Sequence, residues 1–407
     1  MHGQPSKHVR SQLRRAHAAS LVRAVALGLP AFWDMTLILE ATRRPRTCSR
    51  RANPLFIYPP CNRRAFTDAK RCWRTYGLVA LLLLYFILGS DVAFAHVKWF
   101  CAYDVAEQPI RLSQVISGVF GLLVVLALII LFAASLIDVS PIGTALHSAA
   151  DWVTKPIRTN TETLLRGVYG AFFIALWARG GIILTPELTT AAAWISWLQL
   201  SIAAGMLWRS TLPLSGVGIV VLFGVAVFNY GLFHLLDYPI FLGAAAYFIL
   251  VGTSWSPFGV RPLDVARYAT AVTLMWASVE KWAYPQWSYP IFIAHPQMSF
   301  GFDVTFYMKA AGVVEFALAF ALAWTPLARA AALVLCGMFV SAIFEFGKID
   351  AIGHAPIIVI LLAVFADQAL AARHHPALAP AWCAIVIAAF IAAYYIGHAL
   401  LFGTAIV

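Results

Sequence analysis

At 407 residues, 61% hydrophobic and only 12% charged, the chain is too apolar to wrap itself in the polar shell of a soluble domain of its size. Its net charge of +11 is concentrated at one end: residues 1–75 carry 15 Lys/Arg against 3 Asp/Glu, a net of +12, and the rest carries 14 against 15, a net of −1. A basic, nucleic-acid-binding body is thereby excluded, and the chain reads as an all-α, polytopic integral membrane helix bundle with the lipid bilayer as its first partner.

Residues 1–75 form a basic tail without a periodic apolar pattern, expected to be disordered or non-native. Binding to anionic headgroups, an Arg-rich and acid-poor organellar presequence, and an extension upstream of the natural start all fit its composition. The stretch 21–37 is too short to span a bilayer and is interrupted by Arg23, Pro30 and Asp34. The six cysteines include no CxxC pair, which leaves no sign of a disulfide framework or an iron–sulfur site. No cleavable signal peptide is evident, so the first membrane helix is expected to target the chain.

Apolar runs of about 20 residues match the hydrocarbon thickness of a bilayer. Eleven such runs are expected as transmembrane helices: 77–95, 112–137, 162–184, 189–208, 212–232, 236–254, 262–282, 303–324, 326–347, 350–372 and 380–403. Proline punctuates most connections, at Pro141, Pro186, Pro213, Pro257, Pro262, Pro326 and Pro380. With the N-terminus in the cytoplasm, Arg71, Arg74, Lys155, Arg158, Arg209, Arg261, Arg329 and Arg373 fall on the inner side, as the positive-inside rule requires. Eleven crossings then place the C-terminus outside, in the periplasm of a bacterial inner membrane.

Shifting residues 200–231 by 116 lays them on 316–347 and matches Trp208 with Trp324, Phe223 with Phe339, Phe228 with Phe344 and Gly231 with Gly347. The same shift puts Gln199 on Glu315. A shift of four helices preserves orientation, so the pattern predicts two tandem, parallel four-helix repeats. The expected order is a transmembrane hairpin at 76–138, four-helix units at 162–257 and 262–372, and a final helix at 380–403.

Ionisable residues inside lipid-matched helices are costly and mark candidate sites. Under this topology they gather in the outer half: Asp91, His96 and Lys98 at the end of the first span, His234 and Asp237 between the fifth and sixth, Glu280 and Lys281 at the end of the seventh, Glu345, Lys348, Asp350 and His354 around the turn between the ninth and tenth, and His398 near the outer end of the eleventh. Lys-Trp at a helix end, as in Lys98-Trp99 and Lys281-Trp282, is also ordinary interface anchoring. Glu315 lies deeper, about 18 Å along its helix from Asp303. Lys309, six residues earlier, sits on a different face and is not its expected partner. Either Gln199 or a basic side chain such as Lys281 would satisfy Glu315 across helices. Three chemistries fit the cluster. A quinone headgroup would use its donors and proton path, a proton-coupled transporter would use Glu315, and a metal or haem would need histidine spacing that HxxxH or HExxH would supply and this chain lacks. No P-loop, GxGxxG or GxSxG motif appears in the membrane body, so a conventional soluble-type active site is not expected. The connection around 283–302 is the longest outer one and a candidate lid.

Residues 262–372 resemble the DoxX-like superfamily of four-helix membrane proteins. The resemblance rests on the Arg267 helix ending in Glu280-Lys281-Trp282, on Val313-Val314-Glu315-Phe316, on Trp324-Thr325-Pro326-Leu327-Ala328-Arg329 and on a fourth helix with His354. Residues 162–257 are similar more distantly, through Arg166, Gln199 and Trp208, with Arg179-Gly180 in place of Glu280-Lys281. The resemblance implies a role accessory to quinone-linked electron transfer or periplasmic redox-protein maturation, with a quinone as cofactor and a redox protein as partner. It implies Glu280 and Glu315 as proton-handling acids and Lys281, His354 and His96 as polar contacts. A small-solute or proton-coupled transporter and a structural membrane scaffold are the other two expectations.

Overall fold

A computed structural model describes residues 101, 103–324, 327–370 and 376–404, all within one compact unit of the chain, 75–407. The span expected at 77–95, with Asp91, His96 and Lys98, lies outside the described residues, as does the basic tail.

Local chemistry sets the helix starts. Ser117 Oγ accepts from Phe120 N ahead of α1 (Gly118–Asp138), and Ser140 Oγ accepts from the amides of Ile142 and Gly143 ahead of α2 (Pro141–Thr159). Next come α3 (Thr161–Arg179), a two-stranded antiparallel ribbon of β1 (Ile182–Ile183) and β2 (Thr185–Thr189), α4 (Ala193–Gly205) and α5 (Leu212–Tyr230). Then follow α6 (Pro239–Thr253), α7 (Pro262–Ala283), α8 (Val304–Ala323), α9 (Ala328–Phe346), α10 (Lys348–Phe365) and α11 (Ala379–Phe402). Proline opens α2, α5, α6, α7 and α11, where its missing N–H costs nothing. Asp303 caps α8 by accepting from Phe306 N. Gly231 and Gly347 end α5 and α9 at positive φ, a conformation that disfavours a Cβ.

Among the described residues, six helices are long and apolar enough to cross a membrane: Gly118–Asp138, Arg209–Tyr230, Val304–Ala323, Ala328–Phe346, Lys348–Phe365 and Ala379–Phe402. The protein is thus a helical, multi-pass membrane protein. The eleven full-length spans expected from apolar runs are not reproduced. Helix α4 has 13 residues, or about 20 Å: of the expected segment 189–208, the ribbon and an irregular stretch take 189–192 and a turn takes 206–208. Helix α6 has 15 residues. Helix α7 carries Asp264, Arg267, Glu280 and Lys281, and α3 carries Glu162, Arg166 and Arg179. The ribbon is the departure from an all-α reading, and it begins where Gly180 and Gly181 take positive φ.

Sequential helices pack in two series, α3–α4–α5–α6 and α7–α8–α9–α10. The series meet through α6 against α7 and α10 against α3, and α7 also touches α10. Helices α1 and α11 pack together and against α8, and α11 reaches α7. Helix α2 is an element that the apolar runs do not predict. Its polar side faces the protein through Asp151–Arg329 (2.8 Å) and His147–Asp138 (2.9 Å), and Ile142, Leu146, Trp152 and Val153 stay exposed.

Four arginines gather at one end of the bundle and cap helix C-termini. Arg166 of α3 donates to Met206 O (2.8 Å) and to Leu207 O beyond α4, and Arg267 of α7 donates to Leu322 O (2.9 Å) and Ala323 O (3.0 Å) at the end of α8. Arg209, ahead of α5, donates to Val251 O in α6, and Arg329 of α9 donates to Phe365 O in α10 (2.9 Å). Each guanidinium satisfies carbonyls that a helix end leaves open and opposes the negative end of its dipole. Arg267 is 2% exposed, so Arg267→Met would strand two carbonyls with little access to water. Thermal unfolding in detergent should show a loss of about 2 kcal/mol or more.

Candidate functional site

The opposite end of the bundle holds a cavity of about 280 Å³. The last turn of α7 brings Glu280 and Lys281 to it, the middle of α8 brings Glu315, and the first turns of α10 bring Asp350 and His354. Asp237 and Tyr238 reach it from the connection into α6. The remaining wall is mostly apolar, with Phe241, Phe339 and Met308 among its side chains, and Ser288, Ile291, Phe292 and Met298 of the long connection cover it. That connection therefore sits where a lid was expected.

Lys281 Nζ lies 2.6 Å from Glu315 Oε2, with the side chains 26% and 12% exposed. This answers the question of Glu315's partner. Gln199 does not approach it: its Nε2 donates to Ile182 O (2.8 Å). Lys309, as its helical position predicts, turns away and donates to Gln114 O (2.8 Å) and Ser117 Oγ (3.1 Å), tying α8 to the start of α1. Glu280 is buried, and Tyr394 of α11 donates to its Oε1 at 3.5 Å. Asp350 and His354 are separated by one helical turn, and Asp350 Oδ2 lies 3.0 Å from His354 Nδ1. Asp350 is 1% exposed, and neither of its carboxylate oxygens has a hydrogen-bond partner among the described residues. The ring of Phe339 lies 4.7 Å from that of His354.

Of the residues singled out in the sequence, Glu280, Lys281, Glu315 and His354 meet at this cavity. Glu345 does not line it. Its carboxylate accepts from Gln297 Nε2 (2.6 Å) and pairs with His295 Nδ1 (2.8 Å), pinning the covering connection to the end of α9. Arg179 is exposed at the end of α3 and enters no such site. His398 is buried against Tyr284 and Val105 O and holds the 103–110 segment.

Sequence reasoning left Asp350 in the outer polar turn without a site role and missed Tyr238, Tyr394 and Glu187. The i, i+4 spacing of Asp350 and His354 would have supplied that role. Glu187 follows Pro186 in a stretch that reads as a mere connection, and only the ribbon shows why it points inward. Its side chain is 2% exposed, pairs with His234 Nε2 (3.0 Å) and accepts from Tyr238. Burial, then the neighbouring Glu187 and Asp237 carboxylates, pushes the Tyr238 hydroxyl well above its usual range, which keeps it a donor at neutral pH.

Chemically, the cavity offers donors and acids on several walls around an apolar interior. It suits a small amphipathic molecule with polar atoms at opposite edges. Among the described residues, no three of His, Cys, Asp and Glu converge to hold a metal ion. Cys101, Cys336 and Cys383 are buried and apart from one another as free thiols. No family model, no curated protein and no solved structure matches this chain.

Proposed function

We propose that the cavity binds a quinone-type headgroup and that the protein serves quinone-linked electron transfer or redox-protein maturation as a DoxX-like accessory component. The observation that carries this reading is the convergence of Glu280, Lys281, Glu315, Asp350 and His354 on one largely apolar cavity. A quinone presents two carbonyl oxygens across a flat apolar ring. Lys281–Glu315 on one side and Asp350–His354 on another supply a donor and a proton-exchanging acid for each. The aromatic side chains in the wall suit the ring faces.

The same proposal includes the membrane arrangement. The arginine-capped end faces the cytoplasm and the cavity end faces outward, in keeping with the positive-inside rule. Helices α3 to α10 cross with α1, α11 and the segment expected at 77–95, giving eleven crossings of a bacterial inner membrane. Two parallel four-helix repeats account for the matching caps: Arg166 and Arg267 from each first helix to each second, and Arg209 and Arg329 to each fourth. Phe228 and Phe344, one shift of 116 apart, are exposed to 90% and 87%, and each is followed by a positive-φ glycine.

A scaffold expects Glu315 to be paired across helices, as it is with Lys281, but it also expects no pocket, and the cavity counts against it. Small-solute or proton-coupled transport is the second reading, favoured by the Lys281–Glu315 pair inside a partly open cavity. The test is binding of a short-chain benzoquinone to the purified, reconstituted chain, followed by tryptophan quenching. Glu315→Gln should weaken binding roughly tenfold, the worth of one charge-assisted hydrogen bond. Its abundance and melting are measured alongside. No binding by the wild-type protein would overturn the quinone reading, and solute uptake into vesicles would establish the second.

A further inference from the structure

Behind the cavity wall lies a second buried polar cluster that the binding reading does not use. Glu187 of β2 is faced by His234, in the short helix after α5, and by Tyr238, ahead of α6. His234 Nε2 lies 3.0 Å from Glu187 Oε1, and the Tyr238 hydroxyl donates to that same oxygen. The same His234 Nε2 also meets the Tyr103 hydroxyl at 3.2 Å, so one nitrogen faces both groups, and Tyr103 is only half-buried. The Tyr230 ring packs edge-on against His234, and its hydroxyl donates to Thr189 O. Asp237 stands beside Tyr238, and both line the cavity. No lysine or arginine pairs with Glu187 among the described residues, and its Oε2 has no hydrogen-bond partner there.

A purely structural clamp would hold the ribbon to the turn between α5 and α6 with a neutral amide at 187. A carboxylate withdrawn from water costs several kcal/mol unless a proton or a cation offsets it, and here the available partner is an imidazole that can take or give a proton. The hydrogen bonds run without a gap from a cavity-lining side chain to a half-exposed one.

We propose that Tyr238, Glu187, His234 and Tyr103 form a proton relay between the cavity and the outer end of the bundle. In the ionised state Glu187 accepts from Tyr238 O–H and from the Nε2–H of a His234 imidazolium, which keeps its Nδ1 proton throughout. A proton released in the cavity binds the Tyr238 oxygen as that hydroxyl's own proton passes to Glu187. The Nε2 proton of His234 moves to the Tyr103 oxygen as the Tyr103 proton leaves to water, and Nε2 then takes the Glu187 proton. One proton enters, one leaves, and no electron is transferred. The relay deepens the ligand reading, because it serves the same cavity, but its test does not depend on that ligand.

The full-length protein, reconstituted in lipid, is titrated by infrared difference spectroscopy across the carboxyl range. A carboxyl band lost in Glu187→Gln belongs to Glu187. After transfer to D2O that band should shift within seconds in the wild type and roughly a hundredfold more slowly in Tyr103→Phe and His234→Gln. Glu345→Gln, at a residue outside the relay, should leave the rate unchanged. Tyr103→Phe keeps the ring that packs on His234 and Trp287, so folding is retained and checked by melting. No Glu187-dependent band at any pH, or equal rates in all variants, would overturn the relay. Absence of benzoquinone binding would overturn the ligand reading alone and leave the exchange rates to decide the relay.

Discussion

Gly243→Val should abolish the folded protein, and Gly243→Ala should lower its stability by about 1–3 kcal/mol. Gly243 is where α6 rides against α7, the joint between the two helix series. A Cβ there would stand 2.3 Å from Ala269 Cβ and 3.2 Å from Ala266 Cα and Val265 O. Those atoms are a short side chain and main chain of α7, so relief requires the helices to separate. Helix propensity works the other way, since Ala is favoured over Gly by up to about 1 kcal/mol. The clash outweighs that preference, because membrane helices associate chiefly through close contact of small residues. Thermal melting of the detergent-solubilised protein checks this, with Gly224→Ala as the control. Gly224 lies in α5 with nothing within 4 Å of a built Cβ, so that variant should be neutral or slightly more stable.

Breaking the Lys281–Glu315 pair from one side should cost more than removing both partners. Lys281→Met leaves a carboxylate that is 12% exposed with its cation gone, and the expected loss is about 3 kcal/mol. Glu315→Gln should cost less, because the amide oxygen still accepts from Lys281, whose side chain is 26% exposed and reaches water. The double variant Lys281→Met/Glu315→Met leaves no stranded charge and should recover at least half of the Lys281→Met loss. The double-mutant cycle is read from melting curves. Additive losses would mean that the pair is held in place by its surroundings and contributes nothing as a pair.

Much of this molecule is legible from periodicity and hydropathy, because a bilayer-sized apolar run leaves the backbone few alternatives. Among the described residues a helix stands at each of the ten expected segments that fall there, and prolines open four of them. Boundaries fail where polar and apolar residues mix. Pro186-Glu187 and the two glycines before it make a ribbon that a span count does not see. Helix α2 has an apolar stripe of Ile142, Leu146 and Val153 beside Asp151 and Lys155, so its mean hydropathy hides it. At the site, Glu280, Lys281, Glu315 and His354 are visible because charge is rare in such helices. The partner of Glu315 is not: Gln199 and Lys281 are both compatible with the sequence, and only the packing of α7 on α8 decides between them. Glu345 escapes placement because a turn residue can face the cavity or its rim within a fraction of a helical turn.

The capping arginines have a consequence for how such a chain tolerates change. On the membrane arrangement proposed above, the four arginines that close the ends of α4, α6, α8 and α10 also add to the positive charge of the inner side. Topology and termination are therefore inherited together. Lysine at Arg267 would preserve the charge that the insertion machinery reads, but its single ammonium cannot reproduce the planar fork shared between Leu322 O and Ala323 O. Sequence drift at these four positions is thus exposed to selection twice, during insertion and again during assembly, and the narrower of the two requirements sets what is allowed.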